Sequence, residues 1–184
     1  MSKYLPNLLT LLRLGLTPVF IILAIYVHNP VSLKWACLVF IIASVTDWLD
    51  GYLARKLQQI SDFGKLWDPL ADKFIVLSAL AALVWKAPLN IHWLVFAIIL
   101  LREVLITILR YALANRKVIL PADMWGKVKA ILQMAGLILA LAVWAWNLYY
   151  PPLMTFLVVW FWIVTLVTVL SGYNYLRGTF GNKV

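Results

Sequence analysis

Six apolar runs, each near the roughly 20 residues an α-helix needs to cross a bilayer, leave this chain few ways to fold. They cover 8–27, 33–54, 67–86, 90–114, 125–148 and 153–176. Between them stand the expected breaks: His28-Asn29-Pro30, Gln58-Gln59-Ile60-Ser61, Ala87-Pro88-Leu89-Asn90, Asn115-Arg116-Lys117 and Tyr150-Pro151-Pro152. With 65% hydrophobic and 12% charged residues and a mean hydropathy of +0.93, a soluble domain of 184 residues is excluded. The expectation is an all-α integral membrane protein of six transmembrane helices, forming a single domain over residues 1–184. The first run is long enough to span and no small-x-small cleavage site follows it. It reads as a retained helix rather than a signal peptide.

Orientation comes from the basic residues. With the N-terminus in the cytoplasm, only Lys34 and Lys86 of the 16 Lys and Arg fall on the outer side. That asymmetry predicts an N-in, C-in topology in the cytoplasmic (inner) membrane. It also brings every acidic residue to or near the cytoplasmic face. The formal charge of +9 is carried by cations beside apolar spans, so it points to lipid and phosphate partners and not to nucleic acid. Trp35, Trp85, Trp93, Trp144 and Trp146 fall near helix ends, where an interfacial aromatic belt is the ordinary reading. The lone Cys37 rules out a disulfide framework.

Chemistry concentrates in one window. Of the seven acidic residues in the chain, Asp47, Asp50, Asp68 and Asp72 stand at helical spacing. The first two are three apart and the last two four apart, so each pair shares a face of its helix. A tight reversal between Arg55 and Leu66 would let the pairs face each other. Four converging carboxylates would repel unless a cation sat among them, and oxygen ligands suit Mg²⁺ or Mn²⁺ better than zinc. Pairing with the nearby Arg55, Lys65 or Lys73 is the blander explanation. It accounts for one or two acids, not for two spaced pairs punctuated by Gly51, Ala54 and Gly64. Glycine inside a helix costs about 1 kcal/mol relative to alanine, and close approach of a ligand to the backbone is a reason to keep Gly51. A cation channel or transporter would spread its acids through the membrane depth, whereas here they cluster at one face.

The pattern D-x2-D-G-x2-A-R-x8-G-x3-D-x3-D is met at every fixed position from Asp47 to Asp72. It resembles the signature of the CDP-alcohol phosphatidyltransferase family. Pro6-Asn7-Leu8-Leu9-Thr10-Leu11-Leu12-Arg13, Asp68-Pro69-Leu70-Ala71-Asp72-Lys73, Arg102-Glu103-Val104-Leu105-Ile106-Thr107-Ile108-Leu109-Arg110 and Gly126-Lys127-Val128-Lys129 are similar to the branch that makes phosphatidylglycerophosphate. Ala130 departs from that branch, where threonine is expected. The resemblance covers the chain through its fifth helix.

The resemblance implies transfer of a phosphatidyl group from CDP-diacylglycerol to a hydroxyl, with release of CMP. It implies that Asp47, Asp50, Asp68 and Asp72 hold divalent cations, two Mg²⁺ or Mn²⁺ ions, with Asp72 also the base that accepts the proton of the attacking hydroxyl. Gly51 and Ala54 would let the nucleotide lie against the helix, and Arg55 would contact the diphosphate. Thr10, Arg13, Ser61 and Gly64 complete the expected CDP-diacylglycerol site. Arg102, Arg110, Lys127 and Lys129 are cations at the cytoplasmic ends of their helices. Four of them favour a phosphorylated acceptor, glycerol 3-phosphate, and Glu103 should orient a cation by pairing. Inositol phosphate, serine or phosphatidylglycerol as acceptor remains the alternative within the family. A homodimer in contact with membrane lipids is the assembly the family implies.

Overall fold

The computed structural model describes residues 5–27, 29–57, 62–114 and 124–180; of these, 5–10, 48–57, 62–72, 114 and 179–180 are described by backbone alone. Among the described residues the regular elements are all helical. They are α1 (Leu5–Ile21), continued by a π-helical segment Ile22–Val27, then α2 (Pro30–Leu57), α3 (Asp62–Trp85), α4 (Trp93–Ala114), α5 (Met124–Ala145) and α6 (Pro151–Phe180). Three described stretches are long and apolar enough to cross a membrane: Pro30–Asp47, Met124–Ala145 and Pro151–Gly178. Leu11–Val27 and Lys73–Trp85 are shorter apolar helices. The chain is therefore an all-helical protein of membrane character.

Local chemistry sets the helix ends. Asn29 caps α2: its side-chain oxygen accepts from the Ser32 amide at 2.7 Å, and its own amide donates to the Ser32 hydroxyl at 2.9 Å. This reciprocal arrangement satisfies donors that a helix start leaves open. Pro30 follows at the first helical position, where a missing N–H costs nothing. At the start of α4 the His92 ring nitrogen accepts from the Leu94 amide at 3.2 Å. Beyond α5, Asn147 adopts a left-handed conformation with φ 55°, and the Leu148 amide returns to the Val143 carbonyl at 2.9 Å. Those bonds satisfy carbonyls at the helix end. Within α1, Pro18 removes the amide that would have bonded to the carbonyl of Leu14.

The helices gather into two compact units, with α5 contributing to each. The first comprises Met1–Pro88 and Leu137–Tyr149. In it α1 packs along both α2 and α3, each of which touches α1 more extensively than the other. Ala36 and Ala43 of α2 and Ala79 and Ala82 of α3 are buried at these contacts. Small residues let backbones approach closely, and van der Waals packing holds helices together where lipid replaces water. Phe20 and Phe40 fill the space between α1 and α2 with tilted rings 6.0 Å apart. Trp35, Trp85 and Trp146 are exposed, and the Lys34 ammonium stands over the Trp146 ring. Trp144 departs from the expected belt: at 2% exposure it belongs to the core. Its helical register turns it inward beside Leu137, Ala140 and Leu141.

The second unit comprises Leu89–Gly136 and Tyr150–Val184. Here α4 packs against α6. The first part of α5 approaches α6 closely at Trp160. The Trp160 indole nitrogen donates to the Leu132 carbonyl at 3.0 Å, and a Cβ on Gly136 would come within 2.6 Å of that nitrogen. A rigid indole cannot absorb such an overlap without giving up its bond. Gly136→Ala is expected to lower stability by about 1–3 kcal/mol, seen as a lower midpoint of thermal unfolding in detergent. An unchanged midpoint would mean that α6 shifts freely at this contact.

Candidate active site

In the first unit α2 and α3 are connected through residues 58–61 and carry the four aspartates. At 1.5 Å per residue, Asp50 stands about 10 Å along α2 from Leu57 and Asp68 about 9 Å along α3 from Asp62. Asp47 and Asp72 each stand about 15 Å from the same helix ends. The two pairs thus occupy matching positions on their own helices, counted from the connection. Regular helix through both segments keeps each pair on one face.

Of the four, Asp47 has a described side chain. It pairs with Arg13 of α1, whose guanidinium lies 2.9 Å from a carboxylate oxygen. The Arg13 side chain is fully buried and that of Asp47 is 40% exposed. A guanidinium buried in an apolar helical unit requires a counter-charge, and Asp47 of α2 supplies it to Arg13 of α1. Asp47 is left accessible on its open side, so the carboxylate can serve a ligand as well as Arg13. Arg13, expected at the nucleotide, is therefore found against a carboxylate of the acidic window. Asp50, Gly51, Ala54, Arg55, Gly64, Asp68 and Asp72 lie on α2 and α3, and Thr10 on α1, with side chains outside the described set. Ser61 lies outside the described residues. Among the described side chains no three acidic, histidine or cysteine groups converge as a metal site. The all-oxygen donor set and the accessible face of Asp47 fit a hard divalent cation.

The second unit holds a separate polar cluster. Glu103 of α4 accepts from the ammonium of Lys129 on α5 and, at 3.1 Å, from the guanidinium of Arg102. The other terminal nitrogen of Arg102 donates to the Ser171 hydroxyl of α6 at 2.7 Å. Glu103, Lys129 and Ser171 are buried. Gly172 of α6 lies against the Arg102 stem, where a Cβ would make ordinary van der Waals contact at 3.4 Å. Two cations thus share one carboxylate. Arg110 and Lys127 are exposed. The helical twist explains the split between Lys127 and Lys129, because residues two apart point in different directions.

Arg102 also marks a boundary. On its other side an apolar groove of about 590 Å³ runs between α4 and α6, lined by Leu101, Leu105, Leu109, Val169 and Leu176 among others. Of the four cations expected at the acceptor, Arg102, Arg110, Lys127 and Lys129, the first and last meet at Glu103, the residue expected to orient a cation by pairing. Ser171 was not foreseen: it is one of several hydroxyl residues in an apolar helix, and nothing local sets it apart from them. Nor was Gln133 foreseen, a buried amide four residues beyond Lys129, for which that spacing was the available clue.

Comparison with known proteins agrees with the signature. The family model for CDP-alcohol phosphatidyltransferase matches residues 3–171. A CDP-diacylglycerol–glycerol-3-phosphate 3-phosphatidyltransferase of Rickettsia felis is 38% identical over 177 residues, covering 96% of this chain and 95% of the relative. Proteins of the same name from Bacillus subtilis and Pseudomonas fluorescens are 38% and 39% identical, covering 93% and 94% of this chain and 92% and 88% of their own lengths. The match from residue 3 to residue 171 takes in both the aspartate helices and the cationic cluster, and the relatives align over nearly the whole chain: the chain belongs to the CDP-alcohol phosphatidyltransferase family.

Proposed function

We infer that the protein transfers the phosphatidyl group of CDP-diacylglycerol to the primary hydroxyl of glycerol 3-phosphate, giving phosphatidylglycerophosphate and CMP. The observation that carries this reading is the similarity, over nearly the whole chain, to relatives named for that reaction. The hydroxyl oxygen attacks the phosphorus that bears the diacylglycerol ester. The bond from that phosphorus to the bridging oxygen of CMP breaks, and CMP departs with the bond's electrons.

Asp47, Asp50, Asp68 and Asp72 would hold one or two divalent cations, Mg²⁺ or Mn²⁺, which when bound neutralise the diphosphate and the charge gathering on CMP. Asp72 takes the proton of the attacking hydroxyl. A carboxylate beside cations is a weak base, so this role depends on its reach to the hydroxyl. Arg13 holds Asp47 in place and meets the nucleotide site through it. Gly51 and Ala54 give the nucleotide access to α2. Arg55 bonds the diphosphate, and Thr10, Ser61 and Gly64 border the nucleotide. Arg102 and Lys129, fixed by Glu103 and joined by Arg110 and Lys127, receive the acceptor's phosphate.

The setting is a single domain of six membrane-spanning helices, N-in and C-in, with the site open to the cytoplasm and lipid tails entering from the side. A homodimer is the expected assembly, checked by particle mass in nanodiscs. The activity test is purified protein with CDP-diacylglycerol and each acceptor in turn. Glycerol 3-phosphate should give CMP and product in Mg²⁺ or Mn²⁺. Excess chelator should stop turnover and added cation restore it. Full activity in chelator would remove the cations from the mechanism, and turnover with inositol phosphate or serine alone would reassign the acceptor.

A further inference from the structure

Gln133 is a polar group that the reaction outlined above does not use. It lies on α5 at 2% exposure, and neither its amide nitrogen nor its amide oxygen has a hydrogen-bond partner among the described residues. An unpaired amide in an apolar interior is unfavourable, and native proteins leave few such groups without a reason. The buried hydroxyls of α6 in the same unit do not meet the need. Those of Thr165 and Thr168 are bonded at 2.7 Å to carbonyls one turn back in their own helix. Leucine or methionine would fill a similar volume with no unpaired atom.

Position gives the amide its meaning. Gln133 follows Lys129 by four residues on an uninterrupted helix, so the two share a face about 6 Å apart along the axis. Helical side chains lean toward the N-terminus of their helix, which carries the amide toward the turn of Lys129. The cluster of Lys129, Glu103 and Arg102 therefore has, one turn along, a group able both to donate and to accept. A polyol phosphate needs that combination: cations for its phosphate, and a neutral donor–acceptor for a hydroxyl a short way off.

We propose that Gln133 is a specificity-determining residue for the acceptor, its amide recognising the secondary hydroxyl of glycerol 3-phosphate while the neighbouring cations hold the phosphate. The amide oxygen accepts the hydroxyl proton and the amide nitrogen donates to the hydroxyl oxygen. This rests on the acceptor reading given under the proposed function and adds to it the group that distinguishes a glycerol from a simpler alcohol.

The test compares glycerol 3-phosphate with 3-hydroxypropyl phosphate, which keeps the phosphate and the primary hydroxyl but lacks the secondary one. Wild-type protein should favour glycerol 3-phosphate about 10- to 100-fold in kcat/KM, the range one or two hydrogen bonds provide. Gln133→Leu and Gln133→Met should lose most of that preference, through a higher KM for glycerol 3-phosphate alone. KM for CDP-diacylglycerol and turnover of 3-hydroxypropyl phosphate should not move. Thermal midpoints should be equal to or above wild type, since each variant removes an unpaired polar group. Variants that keep the preference, or that lose stability and both acceptors alike, would overturn the proposal. Wild-type protein inactive with glycerol 3-phosphate would instead defeat the acceptor reading, and this inference with it.

Discussion

Asp72→Asn should abolish turnover, lowering kcat by about 10²- to 10⁴-fold, the contribution usual for a positioned general base, while CDP-diacylglycerol still binds. The amide is nearly isosteric with the carboxylate but cannot take the hydroxyl proton. Asp47→Asn serves as the contrast. It removes a carboxylate 2.9 Å from the fully buried guanidinium of Arg13, so it should cost stability as well as activity. CMP release under saturating acceptor, binding of a non-hydrolysable CDP-diacylglycerol analogue and thermal unfolding separate the two. An Asp72→Asn protein with a sizeable fraction of wild-type rate would remove Asp72 from proton transfer. An Asp47→Asn protein as stable as wild type would mean that Arg13 does not depend on that carboxylate.

The contrast between these residues also shows what the sequence could reveal. The helices were legible because a bilayer sets a length and apolar runs of that length have few other uses. Their ends were less so. α2 continues to Leu57, α3 begins at Asp62 and α6 reaches Phe180, all beyond the apolar runs. Hydropathy registers only the residues that suit hydrocarbon, whereas backbone hydrogen bonding carries a helix on through polar ones. The π-helical segment Ile22–Val27 left no trace in a continuous apolar run.

At the site, the spacing of the aspartates was legible because helical periodicity is local. The pairing of Asp47 with Arg13 was not. Cations close in sequence were the available candidates, whereas Arg13 reaches Asp47 from α1, which packs along both α2 and α3. In the cationic cluster the same rule holds. Glu103 beside Arg102 could be read as a pair, but Lys129 and Ser171 come from two other helices. Local pattern gives residues their faces, and tertiary packing decides which faces meet.

That cluster leads to a large expected effect on stability. Glu103 is the carboxylate shared by Lys129 and Arg102, and both it and Lys129 are buried. Glu103→Gln keeps the size and an acceptor oxygen but removes the charge. Breaking a buried pair by taking away one partner costs about 3–5 kcal/mol, because the remaining charge is uncompensated. Thermal unfolding should show that loss directly. If the cluster is where an acceptor phosphate binds, a dianion can supply the charge the variant lacks. Glycerol 3-phosphate should then raise the melting point of Glu103→Gln by more than it raises that of wild type, and glycerol should not. The comparison distinguishes a substrate subsite from a structural ion network. Without an acceptor site the variant stays equally unstable in either ligand; with one, the phosphate takes over part of the carboxylate's role.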